Sequence, residues 1–186
     1  MVFCGRELRI LPVLVASTLT LAGAPAGTTI GDIVPFAVAC GVCGVLAAIV
    51  MDFPMARQTE GFTPAYIAAS VLTRSQPDTV EFATAFAVHH IAGAAAGILY
   101  ATVYLATVGP LPGGPAVGGV AAVPHALGTL VVAGFIYAFF AYLVLPRRGQ
   151  RIYEERSTAV RGQWLRSVVV FGVTVALAVP AVTSVL

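Results

Sequence analysis

The sequence predicts an all-α protein: a polytopic transmembrane helical bundle of about five spans, with a short interfacial helix. Three observations carry this. The 186 residues are 59% apolar and only 10% charged, against ~25% charged in soluble domains, and mean hydropathy is +0.94. The apolar residues gather into runs of about 20, the length that crosses a bilayer. All ten basic residues are arginine, and they fall only in alternate connections between those runs.

The first expected span is 8–26. It follows a short head carrying Arg6 and Arg9. The same stretch also fits a secretory signal, with Ala22-Gly23-Ala24 as its small-residue cleavage site. The second span is 33–51, rich in Ala37, Gly41, Gly44 and Ala48. Asp52 closes it and Pro54 ends it. In the connection that follows, Thr63-Pro64 is an N-cap and N1 pair. It opens a helix over 64–73, expected to lie at the membrane surface or to pack on the bundle.

The stretch from Asp78 to Val108 is the centre of the chain, with its span at about 82–108. Asp78 and Glu81 stand in a capping-box-like spacing. Phe86, His89, Gly93, Gly97, Tyr100 and Tyr104 recur at three and four and share one stripe. Gly93 and Gly97 form a G-x-x-x-G pair, which lets a neighbouring backbone approach closely. The expected neighbour is the second span, through Gly41 and Gly44; a second copy of the chain is the other candidate. His90 stands about 100° around the helix from His89, so both rings cannot lie on the stripe.

The stretch 109–119 reads as an uncharged, turn-rich linker. The fourth span is 120–145, with Pro124 near its outer end and Pro146 as its stop. The next stretch, 147–166, is the most charged, with six arginines. The fifth span is 164–182, with Trp164 at the interface. With five spans, Arg6 and Arg9, Arg57 and Arg74, and the last six arginines all fall on one side. The positive-inside rule then puts the N-terminus in the cytoplasm and the C-terminus outside, in a multi-pass protein of the cell membrane.

Residues Met51-Asp52-Phe53-Pro54-Met55, Gly61-Phe62-Thr63-Pro64, His89-His90 and Gly93–Gly97 together resemble small multi-pass membrane proteins of haloarchaea with no assigned activity. The resemblance covers roughly 33–104. It implies a membrane location and no reaction.

Intramembrane ionisable groups are the first candidates for function. His89 and His90, with Asp52 and Glu81 at the inner mouth, could form a proton path, because histidine titrates near neutral pH. Depth arithmetic at ~1.5 Å per residue puts Cys43 and His90 both about 13 Å in. Cys40, Cys43 and His90 are therefore a candidate soft-metal set. His125, near the outer surface at about 31 Å, is too far to join them or to pair with His89 or His90 across a haem. Arg147, Arg148 and Arg151 could hold lipid headgroups. The chain has no nucleophile motif, phosphate loop, metalloprotease motif or nucleotide fingerprint. A net charge of +2 gives no basis for nucleic-acid binding. The expected partner is the bilayer, no cofactor is implied, and the first reading is a non-enzymatic membrane protein. A small proton-linked transporter or channel is the second, and a membrane metal or redox protein the third.

Overall fold

The computed structural model describes residues 30–185; the expected first span and Arg6 and Arg9 lie outside them. Six helices follow in order: α1 (Ile30–Ala56), α2 (Thr63–Thr73), α3 (Phe82–Thr107), α4 (Ala122–Ala138), α5 (Leu145–Arg148) and α6 (Arg151–Thr183). A single 3-10 turn, Pro77–Thr79, precedes α3, and a π-helical turn, Phe139–Val144, joins α4 to α5 without a break. Four helical stretches are long and apolar enough to cross a membrane: α1, α3, α4 through α5, and α6.

The bundle is built inside out relative to a water-soluble one. Val38, Val42, Phe53, Ile91, Leu130 and Leu177 point outward, Leu130 and Leu177 at about 70% exposure. The interior holds small residues and a few rings: Cys40, Cys43, Ala47, Ala101, Tyr100, Phe140 and Val175. Lipid is as apolar as leucine, so such helices associate by close van der Waals contact and interhelical hydrogen bonds.

The contact between α1 and α3 shows this best. A Cβ on Gly44 would land in the carbonyl of Gly93, and one on Gly97 in the carbonyl of Cys40. One on Gly93 would meet the Ala48 Cβ at 2.7 Å. Gly41 is less confined; its Cβ would make only an ordinary contact with Ile98, at 3.5 Å. Each turn up α3 meets one turn back along α1, so the two helices run antiparallel.

Cross-links define the two ends. At one end Arg156 of α6 donates to Glu60 Oε1 at 2.6 Å, and Gln163 accepts from the Glu60 backbone N–H at 2.7 Å. Arg57, Arg74 and Arg147 belong to this end. At the other, Thr183 donates to the Gly118 carbonyl and the Ala121 N–H donates to Tyr104 Oη at 3.0 Å. That end carries no arginine among the described residues.

Several boundaries differ from the sequence expectations. α1 runs through Pro54 to Ala56, because a proline in the last turn removes only one N–H. α3 begins at Phe82, with Glu81 as an N-cap that makes no side-chain cap; Asp78 sits in the 3-10 turn. Thr63 does not cap α2, since its hydroxyl donates to Glu60 Oε2 at 2.7 Å. α2 buries Ala65, Ile67 and Ala69 and leaves Leu72 exposed. The stretch 147–166 is largely helical: α6 starts at Arg151, and its 33 residues extend about 50 Å, more than a ~30 Å hydrocarbon core needs. The linker 109–119 hides part of a tight hairpin. Ala116–Val117 (β1) pairs with Val120–Ala121 (β2) across Gly118 and Gly119, both at positive φ, as a Gly-Gly hairpin turn requires.

Pro146 does not stop the fourth span either. In a π turn the N–H of residue i bonds to the carbonyl five residues back. Pro146 has no N–H, so the Ala141 carbonyl is left free, and Arg161 Nε donates to it at 3.1 Å. The widened turn lets the helix pass its proline and continue to Arg148.

Candidate functional site

Asp52 lies one turn before the end of α1, and the antiparallel register sets His89 and His90 of α3 opposite it. His89 Nε2 is 3.3 Å from Asp52 Oδ1, and His90 Nε2 is 3.1 Å from Oδ2. The two rings stand at 82° with centroids 5.1 Å apart. Adjacent residues on a helix point about 100° apart. Here that divergence lets two imidazoles clasp one carboxylate from two sides. His89 is buried, while Asp52 and His90 are about one-fifth exposed.

The remaining partners fix the protons. His90 Nδ1 is 2.8 Å from the Phe86 carbonyl oxygen, which can only accept. Its Nε2 faces a carboxylate oxygen. A neutral imidazole has one N–H, so it cannot satisfy both. Hydrogen bonds along both contacts would need one further proton, on His90 or on Asp52; the Nδ1 contact is a formed hydrogen bond and the Nε2 contact is at ion-pair distance. His89 Nε2 also faces two acceptors, the Ala48 carbonyl at 3.4 Å and Asp52 Oδ1, so Nε2 holds its proton. Asp52 Oδ1 is buried and has no formed hydrogen bond; the His89 contact at 3.3 Å is electrostatic, with poor alignment.

A cavity of about 460 Å³ reaches this cluster. Ala48, Met51, Ala92 and Gly93 line it together with His89, as do Phe135, Phe139, Phe140 and Trp164. Apart from His89 and Trp164 every lining side chain is apolar. Phe139, Phe140 and Val144 of the π turn belong to it, and π turns often stand at functional sites. The Trp164 indole Nε1 is buried without an acceptor.

Other candidates separate from the cluster. Glu81 is exposed at the start of α3, about 12 Å below His89 at 1.5 Å per residue, and does not join Asp52. Cys40 and Cys43 are buried in the core cluster that contains Tyr100, whereas His90 turns to Asp52. The expected set of Cys40, Cys43 and His90 is therefore not assembled, and no three His, Cys, Asp or Glu side chains are arranged to hold a metal ion among the described residues. The depth arithmetic failed because it measured both helices from a boundary at Asp52 and Glu81. The packing sets His89 against Ala48 and Asp52, about one and a half to two and a half turns below Cys43. Arg147, Arg148 and Arg151 are exposed at the arginine-rich end, and Arg151 reaches Glu155 at 3.7 Å.

The sequence reading set His125 aside, yet it sits in a second polar relay. The Tyr100 hydroxyl is 2.5 Å from its Nδ1, and its Nε2 is 3.1 Å from the Ala176 carbonyl. Nε2 therefore carries the proton and Nδ1 accepts from the phenol. Tyr100, on the α3 stripe and near the same depth as His125, was the available signal.

The fold and this cluster define a helical bundle with membrane-length apolar helices and an ionisable group between two of them. Comparison with known proteins adds no name: no family model, curated protein or solved structure matches the chain significantly.

Proposed function

We propose that the chain is a non-enzymatic, multi-pass protein of the cell membrane that acts as a small proton-linked carrier. In this reading Asp52, His89 and His90 hold the proton, and the apolar cavity beside His89 takes an apolar or amphiphilic cargo. It has five spans, a cytoplasmic N-terminus and an outside C-terminus. The observation that carries the reading is the Asp52 carboxylate clasped by two histidines whose other contacts are acceptors. A purely structural fastening would need one hydrogen bond, worth about 1 kcal/mol between membrane helices, not three titratable groups beside a cavity. Apolar cavities stay dry, so a water-filled proton channel through this one is disfavoured. Protons reach the trio from the arginine-rich side, where Asp52 and His90 are partly exposed.

The test is proton flux into proteoliposomes made from the host's total lipid, which contains its apolar small molecules. Entrapped pyranine reports the flux after a pH step. Wild type should exceed empty liposomes, and Asp52→Asn should fall to background. Equal flux from wild type and Asp52→Asn would overturn the carrier reading. A second reading, a membrane scaffold, draws on the dry contact of Gly44 with Gly93 and Gly97. It requires Asp52→Asn to change stability and leave flux untouched.

A further inference from the structure

Away from the proton cluster, the arginine-rich end carries a polar recess of about 380 Å³ between the end of α2 and the turn joining α5 to α6. Arg74, at the end of α2, and Arg148, at the end of α5, line it together with Ser75 and Gln150. Neither arginine has an ion-pair partner among the described residues, whereas Arg151 and Arg156 are paired with Glu155 and Glu60. No acidic side chain lines the recess; Asp78 lines the adjoining one. Its two flanking turns are also the two places where a non-glycine residue adopts positive φ among the described residues: Arg74 at 56° and Gln150 at 47°. The αL conformation at Arg74 closes α2 through its N–H to the Ser70 carbonyl, and Gln150 starts α6. Strained backbone of this kind persists where surrounding structure requires it, commonly at binding sites.

Two guanidiniums converging on one recess match the tetrahedral oxygens of a phosphate group. The N-terminus of the 33-residue α6 adds a favourable dipole at Gln150. We infer that Arg74 and Arg148, with Ser75 and Gln150, form a binding site for a phosphate group at the inner membrane face. The group belongs either to the headgroup of an anionic lipid or to a soluble phosphate ester. Arg147 is exposed on the same end but does not line the recess, so it separates a built site from a generally basic surface.

The test uses the full chain in detergent and native mass spectrometry with short-chain phosphatidic acid. A parallel arm titrates glycerol 3-phosphate into the chain in phosphatidylcholine nanodiscs. Near a surface each basic residue is worth about 1 kcal/mol, so Arg74→Ala with Arg148→Ala should weaken binding roughly thirtyfold. Arg147→Ala should change it by less than about fivefold. Binding of the lipid alone identifies a headgroup site; binding of both ligands identifies a phosphate site open to soluble esters. No binding of either, or equal loss from Arg147→Ala and from the double variant, would overturn the inference. Both arginines are exposed, and an unchanged thermal midpoint of the variants confirms that the loss is local. Asp52 takes no part in this assay, so its outcome is independent of the carrier reading.

Discussion

The phenol of Tyr100 sits 2.5 Å from Nδ1 of His125, and that contact ties three helices together. Tyr100 belongs to α3 and His125 to α4, and the other imidazole nitrogen bonds to Ala176 of α6 at 3.1 Å. Both side chains are buried. Tyr100→Phe would leave a buried acceptor unsatisfied, at a cost of about 1–3 kcal/mol. For a chain of this length the thermal midpoint should fall by roughly 2–4 °C per kcal/mol. Thermal unfolding in detergent checks it, and an unchanged midpoint would mean that water replaces the phenol at His125.

Gly97 and Gly41 give a matched pair of substitutions on the same interface. A Cβ at Gly97 falls in the Cys40 carbonyl, while one at Gly41 only touches Ile98. Gly97→Ala should therefore destabilise by about 1–3 kcal/mol, the usual range for overpacking. Gly97→Leu should cost more. Gly41→Ala should be near neutral, or slightly stabilising through helix propensity. Melting curves of the three variants decide it. If Gly97→Leu melted at the wild-type temperature, α1 would not pack against α3 as described.

Glu60 is buried at 7% exposure and takes Arg156 on one oxygen and Thr63 on the other. Arg156 is about half exposed, so solvent screens part of their attraction. Arg156→Ala leaves the buried carboxylate short of one charged donor, a loss of about 2 kcal/mol. Glu60→Gln in the same background should recover part of it, because the charge then no longer needs a partner. A double-mutant cycle measured by urea or thermal unfolding gives the coupling, and additive effects would show that the pair contributes nothing.

Orientation can be read with single cysteines in a chain where Cys4 is serine; Cys40 and Cys43 are buried. Val117→Cys, exposed in the hairpin, should react with an impermeant maleimide added to intact cells. Glu154→Cys at the arginine-rich end should react only after permeabilisation. The reverse pattern would place the arginines outside and reject the positive-inside assignment.

Much of the bundle was legible because helical periodicity survives in a chain this apolar. Phe86, His89, Gly93, Gly97, Tyr100 and Tyr104 share a stripe by spacing alone, and all but Phe86, which is exposed, are buried. The charged stretch 147–166 misled for a physical reason. Arginine and glutamate are good helix formers, so charge there marks where the helix leaves the apolar phase, not where it ends. Pro54 and Pro146 misled similarly, one in a last turn and the other after a π turn, where Arg161 takes up the Ala141 carbonyl that its missing N–H leaves free. Asp52 was legible as a companion of His89 and His90 on a candidate proton path, but its direct contact with His90 was not. The glycine spacing announced the close approach of α1 and α3, but the contact depends on their exact register, in which Gly44 meets Gly93 and Gly97 meets Cys40.

The contact of Asp52 with His90 supplies the last prediction. His90 Nδ1 faces the Phe86 carbonyl and Nε2 faces Asp52 Oδ2, so hydrogen bonds along both contacts would need an extra proton, and the carrier reading puts one there. Asparagine at position 52 changes the bookkeeping without changing the shape. Its amide can turn an N–H toward Nε2, and a neutral His90 protonated at Nδ1 then satisfies both contacts. Nitrogen-15 spectra of histidine-labelled protein in nanodiscs, with infrared spectra of the carboxyl region, should separate the two states at neutral pH. Wild type should show His90 protonated on both nitrogens, or a protonated carboxyl band that disappears in Asp52→Asn. The variant should show His90 with a bare Nε2. A bare Nε2 in the wild type together with an ionised Asp52 would mean that the clasp carries no proton, and the carrier reading would lose the observation it stands on.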